Sequence, residues 1–556
     1  MTESCMSADH RSRLCRDLAV LLTERPSVTG TADEASFGPW LAAVLTQRSE
    51  FGTDAEVWMF PVAQGDPRHV VAMLVRGGGS RTVVLTGHYD TVTVADYGAL
   101  ASVATMPDAL IAALSERLST ARSGSVEALA REDLKTGNYL PGRGVLDMKG
   151  GLAAGLAAIA ALRSNPQFRH GNLLFLAVPD EENASAGARA AAVHLADIAL
   201  NHDLEIAAVI NLDAIADVGD GSDGRVVALG TVGKVLATAF VVGVPVHSGF
   251  PLRGINAAVL AAAIVQRLEW APELTDNSAA TAGTPVSLLS LRDGKTGYDV
   301  TTPGTAFATW SVLNHRREPA VVLDLVETLA REAISDCIAS LRARADSYGN
   351  VNAVIAKDPE VPFLRYVTLL DEVRIRHPAI DHEIETLARK LHAGAMSLPD
   401  QCHALTADLW TRSGRSGPAV VFGFGSIPYL ATHLGDPDLK AVVDAFVVDA
   451  KARHGVEIKA AEYFAGISDM SFFGESHAEA FAELARNTPC WPVAVGLTAS
   501  SVAQIPTLNL GPWGRDYHTS LERIEMDYGF RVLPGLLCDL VSRILNLAVA
   551  SRTIAR

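Results

Sequence analysis

Residues 173–182 read LLFLAVPDEE, an apolar run of strand length that ends in three consecutive carboxylates. Two other runs have the same form: residues 82–90 read TVVLTGHYD, and residues 206–213 read IAAVINLD. An Ala-rich helix is expected among these runs at Leu152–Leu162. Continuous apolar strands that alternate with helices are typical of an α/β domain with a largely parallel, buried sheet.

The chain changes character from about Gly243 to Arg344. A short strand, a helix, two strands and a long helix follow one another there, an order that predicts a small α+β (β-α-β-β-α) domain. Helical sequence then covers Val367–Met396, and strand-like runs return at Ala419–Phe424 and Val493–Leu497. We therefore expect the α/β catalytic domain to be split by an inserted α+β lid. The mixed, largely parallel sheet of the catalytic domain should be flanked by helices. The predicted segments are 1–242 (catalytic), 243–345 (lid) and 346–556 (catalytic).

The overall composition restricts the partners and the location of the protein. The formal net charge is −16, which argues against nucleic-acid and anionic-membrane partners, because both require a basic surface. The six cysteines form no C-x-x-C pair, which favours reduced thiols and a cytoplasmic location. The most apolar stretch is interrupted by polar residues, so no membrane span is expected.

Polar side chains follow the predicted strands at the points where they end. Ligands of open parallel sheets bind at the carboxyl ends of the strands, so His88, Asp147, Asp213 and the pair Glu181-Glu182 are expected to share one crevice. Imidazole and carboxylate groups without thiolates are ligands for Zn²⁺ or a similar ion. Carboxylates in one crevice repel each other unless cations lie between them, and a bridging carboxylate can hold two ions roughly 3.5–4 Å apart.

Each of these residues also has a purely structural interpretation. His88 alone would be a hydrogen-bonded strand-end residue, Asp147 a helix cap, and Glu181-Glu182 a solvated helix start. A purely structural interpretation must nevertheless explain why several polar clusters lie at several strand ends. A shared functional site explains all of them together and is therefore favoured. Residues 219–224 match the glycine pattern of a dinucleotide site, but the β-like run after them excludes the helix that such a site requires.

Taken in order along the chain, these segments resemble the M20 family of metallopeptidases and amidohydrolases, and more narrowly its arginine-utilisation (RocB-like) branch. The resemblance covers nearly the whole chain. The matching segments are GHYDTV (87–92), GRGVLDMKGGL (142–152), DEE (180–182), NLD (211–213), GPWG (511–514), His518-Thr519 and Glu522-Arg523.

The resemblance implies a role for each residue of the predicted site. His88 and Asp213 would bind one metal ion, Glu182 and His518 the other, and Asp147 would bridge the two. Glu181 would be the general base, and Asp90 would orient His88. The implied cofactor is two divalent ions, zinc in the first place and cobalt or manganese as alternatives.

The inserted domain resembles the lid of the same family. Residues 246–257 follow its opening signature, which makes His247 and Asn256 the candidate substrate-binding residues and implies a homodimer formed through the lid. Two segments, 91–141 and 346–400, have no role that the resemblance assigns. Asp96-Tyr97-Gly98 and the run Gly466–Ser471 are similar to the arginine-utilisation branch.

The predicted function is therefore two-metal hydrolysis of an amide or peptide bond in a small amino-acid-derived substrate, as a peptidase or amidohydrolase. The branch resemblance implies a place in arginine or amino-acid catabolism. Two alternatives stay open: an N-acyl amino acid deacylase or carboxypeptidase that acts on another small amide, and a metal-free binding protein that retains the fold.

Overall fold

A computed structural model describes residues 6–547 except 166–169, 218, 278–282, 350–352, 358, 395 and 465. The chain folds into two compact units. The first comprises Met1–Thr231, Thr432–Ser476 and Ser501–Arg556, and the second comprises Val232–Ala431 and His477–Ser500. Both combine a sheet with helices, so the predicted α/β class with mixed sheets flanked by helices is confirmed.

Among the described residues, the first unit contains an eight-stranded mixed sheet. Its central strands pair in parallel, with His88 level with Val178 and Thr86 level with Asn211. Their continuous Val, Leu and Ile side chains are buried on both faces, which is why the runs lack polar alternation. The spatial order is Glu56–Pro61, His69–Arg76, Asn172–Val178, Arg81–His88, Glu205–Asn211, Thr507–Asn509, Val226–Ala228 and Lys459–Ala461.

Helices cover this sheet. The Ala-rich helix Gly150–Arg163 is buried along almost its whole length. A Cβ at Gly151 would lie 2.0 Å from the carbonyl oxygen of Leu212, so glycine is required for the close helix–strand contact. The other helices of the unit are Ala8–Glu24, Ala32–Gln47, Pro107–Arg117, Val126–Lys135, Ala186–Asn201, Pro437–His454, Met470–Phe473 and Leu533–Leu545.

One segment of the described chain, Val145–Arg163, is long and apolar enough to cross a membrane by length and composition alone. Its apolar window is 94% buried inside the protein, the arrangement of a core helix.

A small four-stranded sheet in the first unit joins distant parts of the sequence. Its strands lie in the order Tyr139–Pro141, Arg523–Glu525, Trp513–Arg515 and Ile215–Ala216. Arg515 pairs with Arg523 in neighbouring antiparallel strands, so the residues between them form a loop that connects these two strands at one end of the small sheet.

The second unit contains a five-stranded sheet in the part of the chain that the structure describes. The strand order is Ser287–Asp293, Thr305–Asn314, Gly233–Val242, Ala419–Phe424 and Phe363–Arg365. Its helices are Ala257–Leu268, Pro319–Ser347, Tyr366–Arg376, Ile380–Ala393, Leu398–Ser413 and Ala480–Asn487.

The inserted part of the chain is larger than the predicted segment 243–345. The strand Ala419–Phe424, assigned by sequence to the third segment (346–556), pairs with Gly233–Val242 of the second unit. A short apolar run has the same pattern in either sheet, so the sequence cannot decide between them. The predicted strand Val493–Leu497 is also wrong, because the chain forms a π-helical turn at Trp491–Val495 that ends at Gly496 in a left-handed conformation.

Candidate metal centre

His88 ends the central strand Arg81–His88 and is 1% exposed. Its Nε2 lies 3.0 Å from Oδ1 of Asp147, and its Nδ1 donates to the backbone carbonyl oxygen of Asp90 at 3.0 Å. The Asp90 carboxylate is farther from Nδ1, at 3.6 Å. The backbone carbonyl of Asp90, more than its carboxylate, therefore orients the imidazole ring of His88. In this orientation Nε2 points at Asp147.

The carboxylate of Asp90 instead holds the next loop. It accepts hydrogen bonds from the backbone amides of Glu181 (3.1 Å) and Glu182 (3.3 Å) and from the hydroxyl of Thr29 (2.8 Å). A single buried side chain thus connects the strand end that carries His88 to the loop that carries both glutamates.

Asp147 lies between two imidazoles. Its Oδ1 faces His88 at 3.0 Å, and its Oδ2 faces Nε2 of His518 at 3.1 Å. The turn before it depends on Gly144, whose φ of +78° is left-handed and where a Cβ would lie 2.4 Å from Thr91 Cγ2. The backbone amide of Asp147 donates to Oε1 of Glu522 at 3.3 Å, and that of Leu146 to the same oxygen at 3.1 Å. This arrangement presents one carboxylate oxygen to each histidine.

The two glutamates lie on a tight turn after the strand Asn172–Val178. Asp180 has a φ of +70°, and its carboxylate accepts from the amide of Ala186 at 3.2 Å and from the guanidinium of Arg68. Oε1 of Glu182 lies 3.0 Å from Nε2 of His518. Burial, followed by neighbouring carboxylates such as Asp469, raises the pKa of Glu181 well above its usual range.

Asp213 follows the strand Glu205–Asn211 and is 6% exposed. Its backbone amide donates to the Asn509 side chain at 3.0 Å, and its Oδ1 accepts from the amide of Ala214 at 2.7 Å. Burial and the nearby charge of Asp147 raise the pKa of Asp213 to about 8.

His518 lies on the loop between the strands Trp513–Arg515 and Arg523–Glu525. Its φ is +62°, and its side chain is 44% exposed. Hydrogen bonds to Asp147 and Glu182 raise the pKa of His518 to about 10. Although burial acts against it, the hydrogen bonds from His518 and His88 hold the pKa of Asp147 below its usual range.

Negative charge dominates this centre. No lysine or arginine in the described part of the chain forms an ion pair with Asp147, Glu181, Glu182 or Asp213. Ligand atoms of His88, Asp147 and Glu182 all lie within 4.8 Å of one another. Imidazole and carboxylate donors in this arrangement fit divalent cations, which would neutralise the mutual repulsion of the carboxylates.

One further acid beside the centre escaped sequence reasoning from the strand ends. Asp469 is 3% exposed, and burial raises its pKa to about 7. The charges of His88 and Asp90 act on it, and it contributes in turn to the raised pKa of Glu181. Asp469 lies in the run Gly466–Ser471, which is similar to the arginine-utilisation branch. The residue types in that run do not predict that it lies beside the strand ends.

The two predicted substrate residues belong to the second unit. His247 is exposed, forms a β-bridge with Thr301, and its Nδ1 accepts from the amide of Gly249 at 3.0 Å. Asn256 caps the helix Ala257–Leu268, because its Oδ1 accepts from the amide of Ala258 at 2.9 Å. Its side chain therefore has a local structural role.

An imidazole–carboxylate centre at the carboxyl ends of parallel strands is typical of a metal-dependent enzyme of the α/β class. More specifically, the chain belongs to Peptidase family M20/M25/M40, whose sequence model matches residues 84–528.

Relatives of similar length match over nearly the whole chain. YqjN of Bacillus subtilis (strain 168) is 26% identical over 533 residues, which cover 95% of this chain and 96% of that protein. RocB of the same organism is 26% identical over 537 residues, with coverage of 94% and 93%. The RocB match supports the predicted branch.

Solved structures show the same fold at low identity. Aminopeptidase PepT from Bacillus cereus ATCC 10987 has a TM-score of 0.52 at 15% identity, covering 96% of this chain and 98% of that one. The dipeptidase Dug1p from Saccharomyces cerevisiae has a TM-score of 0.51 at 12% identity, with coverage of 98% and 99%.

Proposed function

We propose that this protein is a two-metal-dependent hydrolase of an amide or peptide bond in a small amino-acid-derived substrate. The observation that carries the proposal is the position of Asp147, with one oxygen 3.0 Å from His88 and the other 3.1 Å from His518. A carboxylate that faces two separate imidazoles is suited to bridge two cations.

The ligands divide into two sets around this bridge. His88 and Asp213 would hold one ion, and Glu182 and His518 the other; the 3.0 Å contact between Glu182 and His518 supports the second pair. Zinc is the proposed metal because nitrogen and oxygen donors suit it, and cobalt and manganese are the alternatives.

Glu181 is the proposed general base. Divalent cations, when bound, supply Lewis acidity, which makes a water more acidic and stabilises negative charge on a carbonyl oxygen. Glu181 accepts the proton of the water that attacks the amide carbon, and then delivers it to the leaving nitrogen. Asp90 holds the backbone of Glu181 in place through the 3.1 Å hydrogen bond to its amide.

The substrate class rests on relatives. Aminopeptidase and dipeptidase neighbours support a short peptide or a related amide. Similarity to RocB supports the branch, and we propose a role in arginine or amino-acid catabolism on that basis. Deacylation of an N-acyl amino acid and carboxypeptidase action are the alternatives within the same chemistry. His247 is the proposed substrate-binding residue of the second unit, and Asn256 a second candidate.

We further propose a homodimer formed through the second unit. The strand Ser287–Asp293 is an edge strand there, and it exposes Leu289 (58%) and Leu291 (41%), as is expected of a surface that another chain covers. A cytoplasmic location is proposed because Cys15, Cys337, Cys402 and Cys490 form no disulfide bond in the described part of the chain.

The test is a comparison of Glu181→Gln with the unaltered enzyme, each loaded with zinc. N-acyl amino acids and dipeptides are screened first, and metal content is measured by mass spectrometry. Glu181→Gln should keep two ions per chain and lower kcat by about 10²–10⁴-fold, the range of general base catalysis. Glu205→Gln is the matched control, since Glu205 is an exposed acid at the opposite end of the strand that leads to Asp213.

Near-normal turnover of Glu181→Gln contradicts the general-base assignment. A purified wild-type chain that binds no divalent ion at neutral pH contradicts the hydrolase proposal and favours a metal-free binding protein instead.

A further inference from the structure

The segment between Asp90 and Asp147 contributes a buried carboxylate to the base of the His518 loop. Asp133 lies on the helix Val126–Lys135 and is 7% exposed. Its two oxygens accept from Nη1 of Arg515 at 2.6 and 2.7 Å. Oδ2 also accepts from Nε and Nη2 of Arg523 at 2.9 and 2.6 Å. A single carboxylate therefore joins two arginine side chains, each through a bidentate or forked contact.

These two arginines are the boundaries of the loop 516–522. Arg515 ends one strand, Arg523 begins the next, and the two are paired in register. Arg523 also reaches into the loop, where its Nη1 donates to Asp516 at 2.6 Å and to the carbonyl oxygen of Leu521 at 2.8 Å. The chain of contacts from Asp133 therefore continues into the loop that carries His518.

The loop needs such an external support. Asp516 and His518 have φ values of +56° and +62°, a region that is unfavourable for residues with a Cβ. The His518 side chain is 44% exposed, so core packing holds it only in part. Without Asp133, two largely buried guanidinium groups would lie side by side, and Asp516 would be the one carboxylate left within ion-pair distance of them in the described part of the chain.

We propose that Asp133 is a positioning residue for the second metal ion. It holds the loop 516–522 in the shape in which His518 reaches Glu182 and Asp147. The inference rests on the proposed two-metal function, and it gives the segment 91–141 a role in the reaction: the segment completes the less buried half of the metal centre.

The test measures the two metal affinities separately, by zinc titration of the metal-free protein with a calorimeter or a competing chelator. Asp133→Asn preserves size but not charge. It should weaken the binding of one ion by about 10- to 100-fold, the usual effect of losing an outer partner of a metal ligand, and leave the other within about threefold. Hydrogen exchange of a peptide that covers residues 515–525 should also become faster in the zinc-loaded variant, a readout that does not depend on activity.

Two further variants complete the design. Glu132→Gln is the matched control, because Glu132 is the exposed neighbour of Asp133 on the same helix, and its ion-pair partners among the described residues are Arg131 and Lys135. Asp516→Asn removes the ion pair between Arg523 and Asp516 and leaves the hydrogen bond from Arg523 to the carbonyl oxygen of Leu521. It should reproduce the selective weakening at about tenfold. If Asp133→Asn does not fold, Asp516→Asn decides the question alone.

The outcomes separate this inference from the proposed function. His518→Ala should reduce the bound zinc from two ions to one; if it does not, the two-metal assignment fails. If His518→Ala behaves as expected while the folded Asp133 or Asp516 variant binds both ions with unchanged affinity, or loses both equally, the positioning role of Asp133 is overturned.

Discussion

The two histidines of the candidate metal centre are held in different ways. His88 is 1% exposed at the end of a central parallel strand, and its position follows from sheet register and from the carbonyl of Asp90. His518 is 44% exposed on a loop with left-handed residues, and ion pairs that reach it through Arg523 support that loop. The core of the fold therefore fixes one half of the centre, and charged contacts with a separate segment fix the other.

This difference predicts that the two halves respond separately to most substitutions. Asp147 is one exception, because it faces both histidines. Asp90 is another, because it contacts His88 and also holds the backbone of Glu182, the partner of His518. Variants that affect both halves, one half or neither can therefore be ranked by the size of their expected effect.

The largest effect is expected for Asp147→Ala. Loss of the shared carboxylate should lower the affinity for both zinc ions by more than about 100-fold, because loss of an outer partner of a metal ligand alone lowers metal affinity by about 10- to 100-fold. Activity should fall below detection. Zinc content after dialysis against a weak chelator, measured for the variant and for His88→Ala, checks this. Retention of one tightly bound ion by Asp147→Ala would show that the residue does not bridge.

An intermediate effect is expected for Asp90→Asn. An amide cannot accept from Glu181, Glu182 and Thr29 as the carboxylate does, so the loop of the two glutamates should loosen. We expect kcat/KM to fall by about 10- to 100-fold while hydrogen exchange of residues 515–525 stays as in the unaltered enzyme. Faster exchange there would mean that the loop 516–522 depends on the Glu182 contact as well as on Arg523.

The same difference explains what the sequence revealed. His88, the acidic pair and Asp213 follow uninterrupted apolar runs, and parallel pairing brings the ends of such runs to one edge. His518 follows no such run, and only the family resemblance indicated it. Its position depends on pairings between distant segments, such as Asp133 with Arg523, which no local pattern encodes.

Errors in the predicted organisation have a related cause. The sequence correctly predicts a buried strand at Ala419–Phe424, but the partner of this strand is Gly233–Val242 of the second unit. Hydrophobicity predicts that a segment is buried and does not specify the sheet that buries it. The carboxylate of Glu522 accepts from the amide of Asp147, a contact between distant segments that the local sequence pattern does not predict.

The smallest effect is expected for Thr29→Val, on the His88 side. The substitution removes the hydroxyl that donates to Asp90 at 2.8 Å and that also lies 3.1 Å from the carbonyl oxygen of Thr91. It leaves the two backbone amides that also bind the Asp90 carboxylate. The free energy of unfolding of the metal-free protein should decrease by about 1.5–3 kcal/mol, as for other hydrogen bonds to charged groups, and zinc affinity should change by less than about tenfold. Urea denaturation of Thr29→Val and of Thr46→Val measures the difference, because the hydroxyl of Thr46 contacts only its own helix at Ala42. An equal decrease in the free energy of unfolding of the two variants would mean that the hydrogen bond from Thr29 to Asp90 adds no stability. The rigidity of the His88 half would then come from the sheet alone.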